Sequence, residues 1–292
     1  MTASGRPAIG VTLPTMGPHA GPEAIATIAR AADELGLHGV AATERLLLPA
    51  GDDWDNWAGL PDAYVWDPIE ALTFAAAVTE QVRLGTGVVN ALFQPPIVLA
   101  RRLATLDRLS GGRLDVGLGQ GWLPEEFVAV GVPTGRRGAG FEEHVAAMRA
   151  CWGPDPVEFT GEHHRIPPAT VGPKPVRGAD IPLLIGAVAR PAVERAARLG
   201  AGFLTGVRDW DTSADEIAWY RACGGTGRVV VQVMSAWGAG ADEAPAAFAA
   251  WAVGELDRAA AAGANEVRFE LNLTGVAIDR QVEALTALAE RE

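Results

Sequence analysis

Short apolar runs alternate along this chain with longer segments whose apolar residues recur at helical spacing. Glycine or proline marks nearly every change of pattern. An apolar run at residues 8–13 leads into an alanine-rich helical pattern over 22–35 that stops at Gly36, the residue type that caps helix ends. A second short run, 39–42, precedes a long loop over 46–66 that carries Trp54, Trp57 and Trp66 among acids and glycines. Asp67-Pro68 then reads as a helix start, with Asp as cap and Pro in the first turn. Residues 82–89 form a third run rich in β-branched side chains, as strands prefer. A helix opened by Pro95-Pro96 follows and ends in the turn Ser110-Gly111-Gly112.

The most telling run is 114–118, a short apolar segment bounded by glycines that leads into Gly119-Gln120-Gly121-Trp122. It reads as a central parallel strand. Gly117, Gly119 and Gly121 let the backbone approach a flat ligand closely. Helical patterns at 124–130 and 140–151 come next. Residues 154–175, rich in proline and glycine with a short extended Val157-Glu158-Phe159, read as a small hairpin outside the regular alternation. Further strands are predicted at 182–185, 202–205, 228–234 and 266–271, with helices over 191–199 and 241–262 and a last one running to the end. Eight strands alternating with helices predict an α/β fold, a (β/α)8 TIM barrel with an insertion after the fourth strand, roughly 153–180, in a single domain over 1–292. An open doubly wound sheet is the competing arrangement.

Composition narrows the partners. With 49% hydrophobic and 21% charged residues the chain has ample material for a core, as globular domains require. A net charge of −12 argues against nucleic acid and against a polybasic membrane contact. No apolar segment is long enough to span a membrane, and the first residues lack a signal-peptide pattern. Cys151 and Cys223 form no metal-binding spacing and fit a reducing cytoplasm. No metal site is expected. His163-His164 would need further ligands that the sequence does not offer.

Five pieces, in this order and spacing, resemble the luciferase-like flavin and deazaflavin oxidoreductases, and within them the branch that uses coenzyme F420. They are Val82-Arg83-Leu84-Gly85-Thr86-Gly87-Val88; residues 103–112; residues 117–122 with Glu125-Glu126-Phe127; Phe159-Thr160-Gly161-Glu162-His163-His164; and Pro173-Lys174-Pro175-Val176 with residues 182–187 and 196–203. The resemblance implies a cofactor ring over the C-terminal mouth of the barrel. It also implies a non-proline cis bond at Gly87–Val88 behind that ring, and a homodimer. Asn90, by its position after the third strand, and Gln120 then face the polar edge of the ring, an edge an amide suits by offering donor and acceptor; Gln120 is equally readable as a loop residue. Gly87, Val88 and Gly121 line the ring site. Gly186, Ala187 and Arg190, at a helix start where backbone N–H groups bind phosphate, join Thr205 and Gly206 at the cofactor tail.

Glu44-Arg45 is the sharpest departure from the branch. Alcohol dehydrogenases of that branch carry Asp-His there, the histidine acting as base. Arginine cannot take a proton near neutral pH, but it can bind an anion or polarise a carbonyl. Glu44 reads either as catalytic or as an ion-pair partner of Arg45 or Arg113. Trp122 stands where sugar-phosphate-oxidising members carry glutamate, and either walls the substrate pocket or packs. The expected function is hydride transfer between the deazaflavin C5 and a small organic substrate, in the reductive direction, with Glu44, Arg45 and Trp122 as catalytic candidates. An FMN-dependent monooxygenase and a non-catalytic cofactor-binding barrel are the alternatives. A basic patch from Arg136, Arg137, Lys174, Arg177, Arg190 and Arg208 would serve the cofactor tail if those side chains converge.

Overall fold

The strands form where small and β-branched residues run between glycines, and a computed structural model gives their bounds over residues 5–51, 54–56, 64–235, 237, 244–273 and 275–291. In chain order they are β1 (Ala8–Thr12), β2 (Gly39–Ala42), β3 (Arg83–Thr86), β4 (Val89–Asn90), β5 (Leu114–Gly119), β6 (Val157–Thr160), β7 (Arg165–Ala169), β8 (Leu183–Gly186), β9 (Gly202–Val207), β10 (Val229–Met234) and β11 (Glu266–Glu270). The helices are α1 (Pro22–Glu34), α2 (Pro68–Ala76), α3 (Pro96–Leu109), α4 (Pro124–Val130), α5 (Ala139–Trp152), α6 (Arg190–Arg198), α7 (Trp210–Ala222), α8 (Pro245–Ala262) and α9 (Ile278–Ala289). Proline stands in the first turn of most of them, where its missing N–H costs nothing. The Asp67 carboxylate accepts the Ile69 N–H at 2.9 Å and so caps α2.

The parallel strands run in the order β3-β2-β1-β11-β10-β9-β8-β5, and β3 pairs with β5 to close the ring. This is a closed eight-stranded (β/α)8 barrel, not the open sheet. The insertion is the antiparallel hairpin β6–β7, lying outside the barrel sheet. Val11, Val40, Leu84, Val116, Ile185, Val231 and Phe269 are fully or almost fully buried and belong to the main apolar core, which the surrounding helices share. The helix α7, not anticipated from sequence, joins β9 to β10. Its apolar residues do not gather on one face, so the helical period carries little signal. Trp57 and residues 241–243 lie outside the described residues.

The predicted third strand is two pieces. Gly85 pairs with Asp115, but Val89 pairs with Leu118. Four steps on one strand therefore match three on the other, an extra residue of the kind a β-bulge inserts. One extra residue reverses the alternation of faces. Gly87 and Val88 consequently both face the barrel interior: a Cβ on Gly87 would sit 3.6 Å from Arg268 Nη1, and Val88 packs with Leu184, Leu204 and Val230. The Gly87–Val88 peptide is cis.

Candidate active site

A cleft of about 540 Å³ opens where β4, β5, β8 and β9 end. Three glycines make its wall. A Cβ on Gly119 would meet Val88 Cγ2 at 2.6 Å, and one on Gly186 would meet Val88 Cγ1 at 2.8 Å. Gly121 has a φ of +75°, and a Cβ there would press on Phe127 at 2.8 Å. Side chains at Gly119 and Gly186 would fill the space beside Val88. A larger hollow, about 710 Å³, lies on the outer surface between α2 and α3, beside the Glu70–Arg102 ion pair. It shares no lining residue with the cleft at the strand ends, where barrel chemistry sits.

Gly87, Val88, Asn90, Gln120, Gly121, Trp122, Gly186, Ala187, Thr205 and Gly206 all line the cleft. Arg190 does not line it: its guanidinium lies 4.5 Å from the centre of the Trp219 ring. The cation at the wall is instead Arg195, with Arg137 and Gly138 beside it. Arg137 belongs to the basic patch expected from sequence; Arg195 and Gly138 were missed, Arg195 because the sixth helix presents it one turn further on than the helix start. Gln120 is already committed. Its Oε1 accepts the Gly138 N–H at 3.0 Å and Arg195 Nη1 at 3.1 Å, so only its NH2 is left for a ligand. The Thr205 hydroxyl donates to Glu216 Oε2 at 2.8 Å, and Arg208 pairs with that same carboxylate. Lys174 is held by Asp155 and the Cys151 carbonyl. The expected basic patch thus does not converge as a whole.

Glu44 pairs with neither Arg45 nor Arg113. Its Oε2 accepts the Asn90 N–H at 2.6 Å. Burial pushes its carboxyl up to about 7, against that hydrogen bond and with help from the Asp67 and Glu126 charges. Arg45 lies 4.9 Å over the Trp122 ring, with Nη1 3.9 Å from Glu126 Oε1. Glu126 in turn accepts the Leu46 N–H at 2.8 Å. Arg113 instead ties Thr79, Val82 and Ala76 together. His19 hydrogen-bonds the Gly275 carbonyl at 3.0 Å, and His164 joins Arg136 and His144 behind the hairpin.

Below the cleft the interior is ionic. Asp115 accepts from both Arg83 and Arg228, whose charges outweigh burial and hold its carboxyl below the usual range. Arg268 Nε donates to Glu266 Oε1 at 2.6 Å, both almost fully buried. Among the described residues, the one trio with metal-ligand atoms in reach of each other is His38, Asp115 and Glu266, within 4.8 Å. The two carboxylates already bind arginines, which fill the place a cation would take.

The arrangement is that of a ligand-binding (β/α)8 barrel with its cleft at the strand C-termini. Residues 7–287 match the family model of the luciferase-like monooxygenases, and the chain belongs to that family. It is 41% identical over 158 residues to an uncharacterized protein of Mycobacterium tuberculosis, a match covering 53% of this chain and 56% of that protein. It is 33% identical over 187 residues to the F420-dependent glucose-6-phosphate dehydrogenase of Kineococcus radiotolerans, covering 63% and 52%. The chain thus matches only about half the length of these relatives. Among solved structures, monooxygenase RslO1 from Streptomyces bottropensis aligns with a TM-score of 0.72 at 26% identity, covering 97% of this chain and 98% of that one. The family includes F420-dependent and flavin-dependent oxidoreductases, so a deazaflavin or flavin is the class of cofactor at issue. The residues fit such a ring. The cleft volume is that of a small-molecule site, the glycine wall would be lost to any Cβ, and amide and backbone groups stand at its edge.

Proposed function

We propose that the chain is an F420-dependent oxidoreductase acting as a reductase on a small organic acceptor. The observation that carries this reading is Glu44, a carboxyl raised to about 7 that accepts the N–H of the cleft residue Asn90, followed in the chain by Arg45, which stacks on the cleft residue Trp122 and cannot serve as a base. The deazaflavin supplies the hydride when bound. Gly87, Val88, Gly119, Gly121 and Gly186 seat the ring, and the Asn90 side chain and the Gln120 NH2 meet its polar edge. Ala187, Thr205, Gly206 and Arg195 flank the tail, with Arg195 in the part expected of Arg190. Glu44 holds the proton that a reduced acceptor needs, since a group titrating near the working pH transfers protons best. Arg45, stacked on Trp122, polarises the acceptor. A single barrel domain over 1–292 and a cytoplasmic homodimer belong to the same reading.

A second reading, an FMN-dependent monooxygenase, is favoured by the full-length likeness to RslO1. Titration with oxidised F420 and with FMN, followed by tryptophan quenching, separates the two. Preference for F420, then turnover of enones, imines or carbonyls with reduced F420, supports the first. Preference for FMN with oxygen-dependent product supports the second. Tight binding without turnover of any acceptor would leave a cofactor-binding barrel.

A further inference from the structure

The inserted hairpin reaches the cleft through a chain of contacts. Its turn sits on α5, where the Glu143 carboxylate accepts the N–H groups of Glu162, His163 and His164 at 3.0, 2.8 and 2.8 Å. Gly161 keeps that seat open, since a Cβ there would run into the same carboxylate. His164 in turn meets Arg136, with Nε2 standing 3.0 Å from Arg136 Nη2. An arginine only donates, so Nε2 is the accepting nitrogen and the ring is neutral, with its proton on Nδ1. Arg136 passes close against Gly140 in the first turn of α5, where a Cβ would meet its Nε at 2.9 Å. That Nε is buried without a hydrogen-bond partner. The next two residues, Arg137 and Gly138, line the cleft. Gln120 Oε1 accepts the Gly138 N–H, and Arg137 lies 5.6 Å from the centre of the Phe127 ring. Segment 136–138 is thus fastened on one side by a cleft residue and on the other by the hairpin.

We propose that His164 is a positioning residue: through Arg136 it holds Arg137 and Gly138 at the tail side of the cleft, so that the hairpin sets the affinity for a ring cofactor with an anionic tail. The inference rests on the flavin or deazaflavin reading of the cleft. It is independent of which acceptor is used and of whether turnover occurs. The groups that face His164 are Arg136 from the segment before α5, Glu143 and His144 from α5, and His163 from its own turn. Burial and the Arg136 charge push the His164 imidazole below its ordinary 6.5, against the Glu143 charge and with His163 adding to them. Protonation would remove the lone pair that Arg136 binds and set two like charges face to face. The contact is therefore whole at neutral pH and is lost as pH falls through that lowered value.

The test is the dissociation constant of oxidised F420, and of FMN, measured by tryptophan quenching from pH 8 to pH 5 on wild type, His164→Leu and His164→Gln. Leucine removes the acceptor. It should weaken binding of whichever ring the wild type takes by about five- to tenfold at pH 8, the net worth of one hydrogen bond. Glutamine offers Arg136 an amide oxygen and does not titrate. It should match wild type at pH 8 and bind more tightly than wild type at pH 5, a comparison in which any titration of the ligand cancels. The His164 Cε1–H resonance, identified by its absence from the Gln variant, should titrate at lower pH with the ring bound than without it, because linkage is reciprocal. If His164→Leu does not fold, the pH profile of His164→Gln decides alone. A Leu variant that binds like wild type at pH 8, a Gln variant as weak as the Leu one, or a Gln profile that follows wild type down to pH 5 overturns the proposal. Wild type that binds neither ring removes the functional reading and this inference with it; wild type that binds, with variants that leave its affinity unmoved, removes only the inference.

Discussion

Replacing Glu44 with glutamine isolates one buried proton. The glutamine can still accept the Asn90 N–H, which sets the geometry. What it loses is a carboxyl raised from 4.5 to about 7, chiefly by burial. A shift of that size corresponds to about 3 kcal/mol between the two protonation states. The sign follows from linkage. With the folded-state value above the unfolded one, the group's stabilising contribution is intact below about 4.5 and is lost as pH rises through about 7. The wild type should therefore lose about 2–3 kcal/mol relative to Glu44→Gln between pH 5 and pH 8. Urea unfolding followed by circular dichroism at the two pH values measures this, and every other titrating group cancels in the comparison. Unfolding free energies of the two proteins that run parallel from pH 5 to pH 8 would refute the claim that Glu44 is held near neutrality by its surroundings.

Gly119→Ala should weaken binding of the ring cofactor about tenfold or more while unfolding stability falls by only about 1–2 kcal/mol, because Val88 must turn toward the cleft; fluorescence titration beside a urea curve checks both. Gly117→Ala should cost about 3 kcal/mol or more, since the new Cβ would run into the rigid Thr86 carbonyl of the adjoining strand. Its urea midpoint reads this directly. The Asp33 carboxylate accepts the N–H groups of Glu80, Gln81 and Val82, which outweigh burial and hold it below 3.8. Its contribution is present above that value and lost as pH falls through the lower folded-state one. Asp33→Asn should destabilise by about 2 kcal/mol at pH 7 and flatten the acid limb of the stability curve.

Strand and helix existence was legible wherever pattern and punctuation agreed. Residues 124–130 and 39–42 have the bounds read from sequence, and Asp67 caps its helix as expected. The cleft was legible too, because glycines beside a strand end have few uses other than close approach. What stayed hidden was pairwise. Nothing local says that Gln120 is spent on Gly138 and Arg195, or that Arg190 turns to Trp219. The ionic interior was missed for a related reason. Arg228, Glu266 and Arg268 sit in runs recognised as strands by their apolar residues, and Asp115, the partner of Arg228, lies far away in sequence. The bulge at Gly87 and Val88 needs the register of two strands at once, which one strand's pattern cannot supply.

The outer hairpin has a bearing on how the protein behaves when crowded. Closing the main sheet into a ring leaves no long open strand for another chain to pair with. Among the described residues, β6 and β7 form the one sheet whose two sides stay open. Pro167 and Pro168 remove two amide donors from β7, while Glu158 and Arg165 place exposed charge on the pair. Proline and charge are the features that blunt strand-to-strand association between molecules. The hairpin thus extends the barrel's surface without giving aggregates a template to grow from.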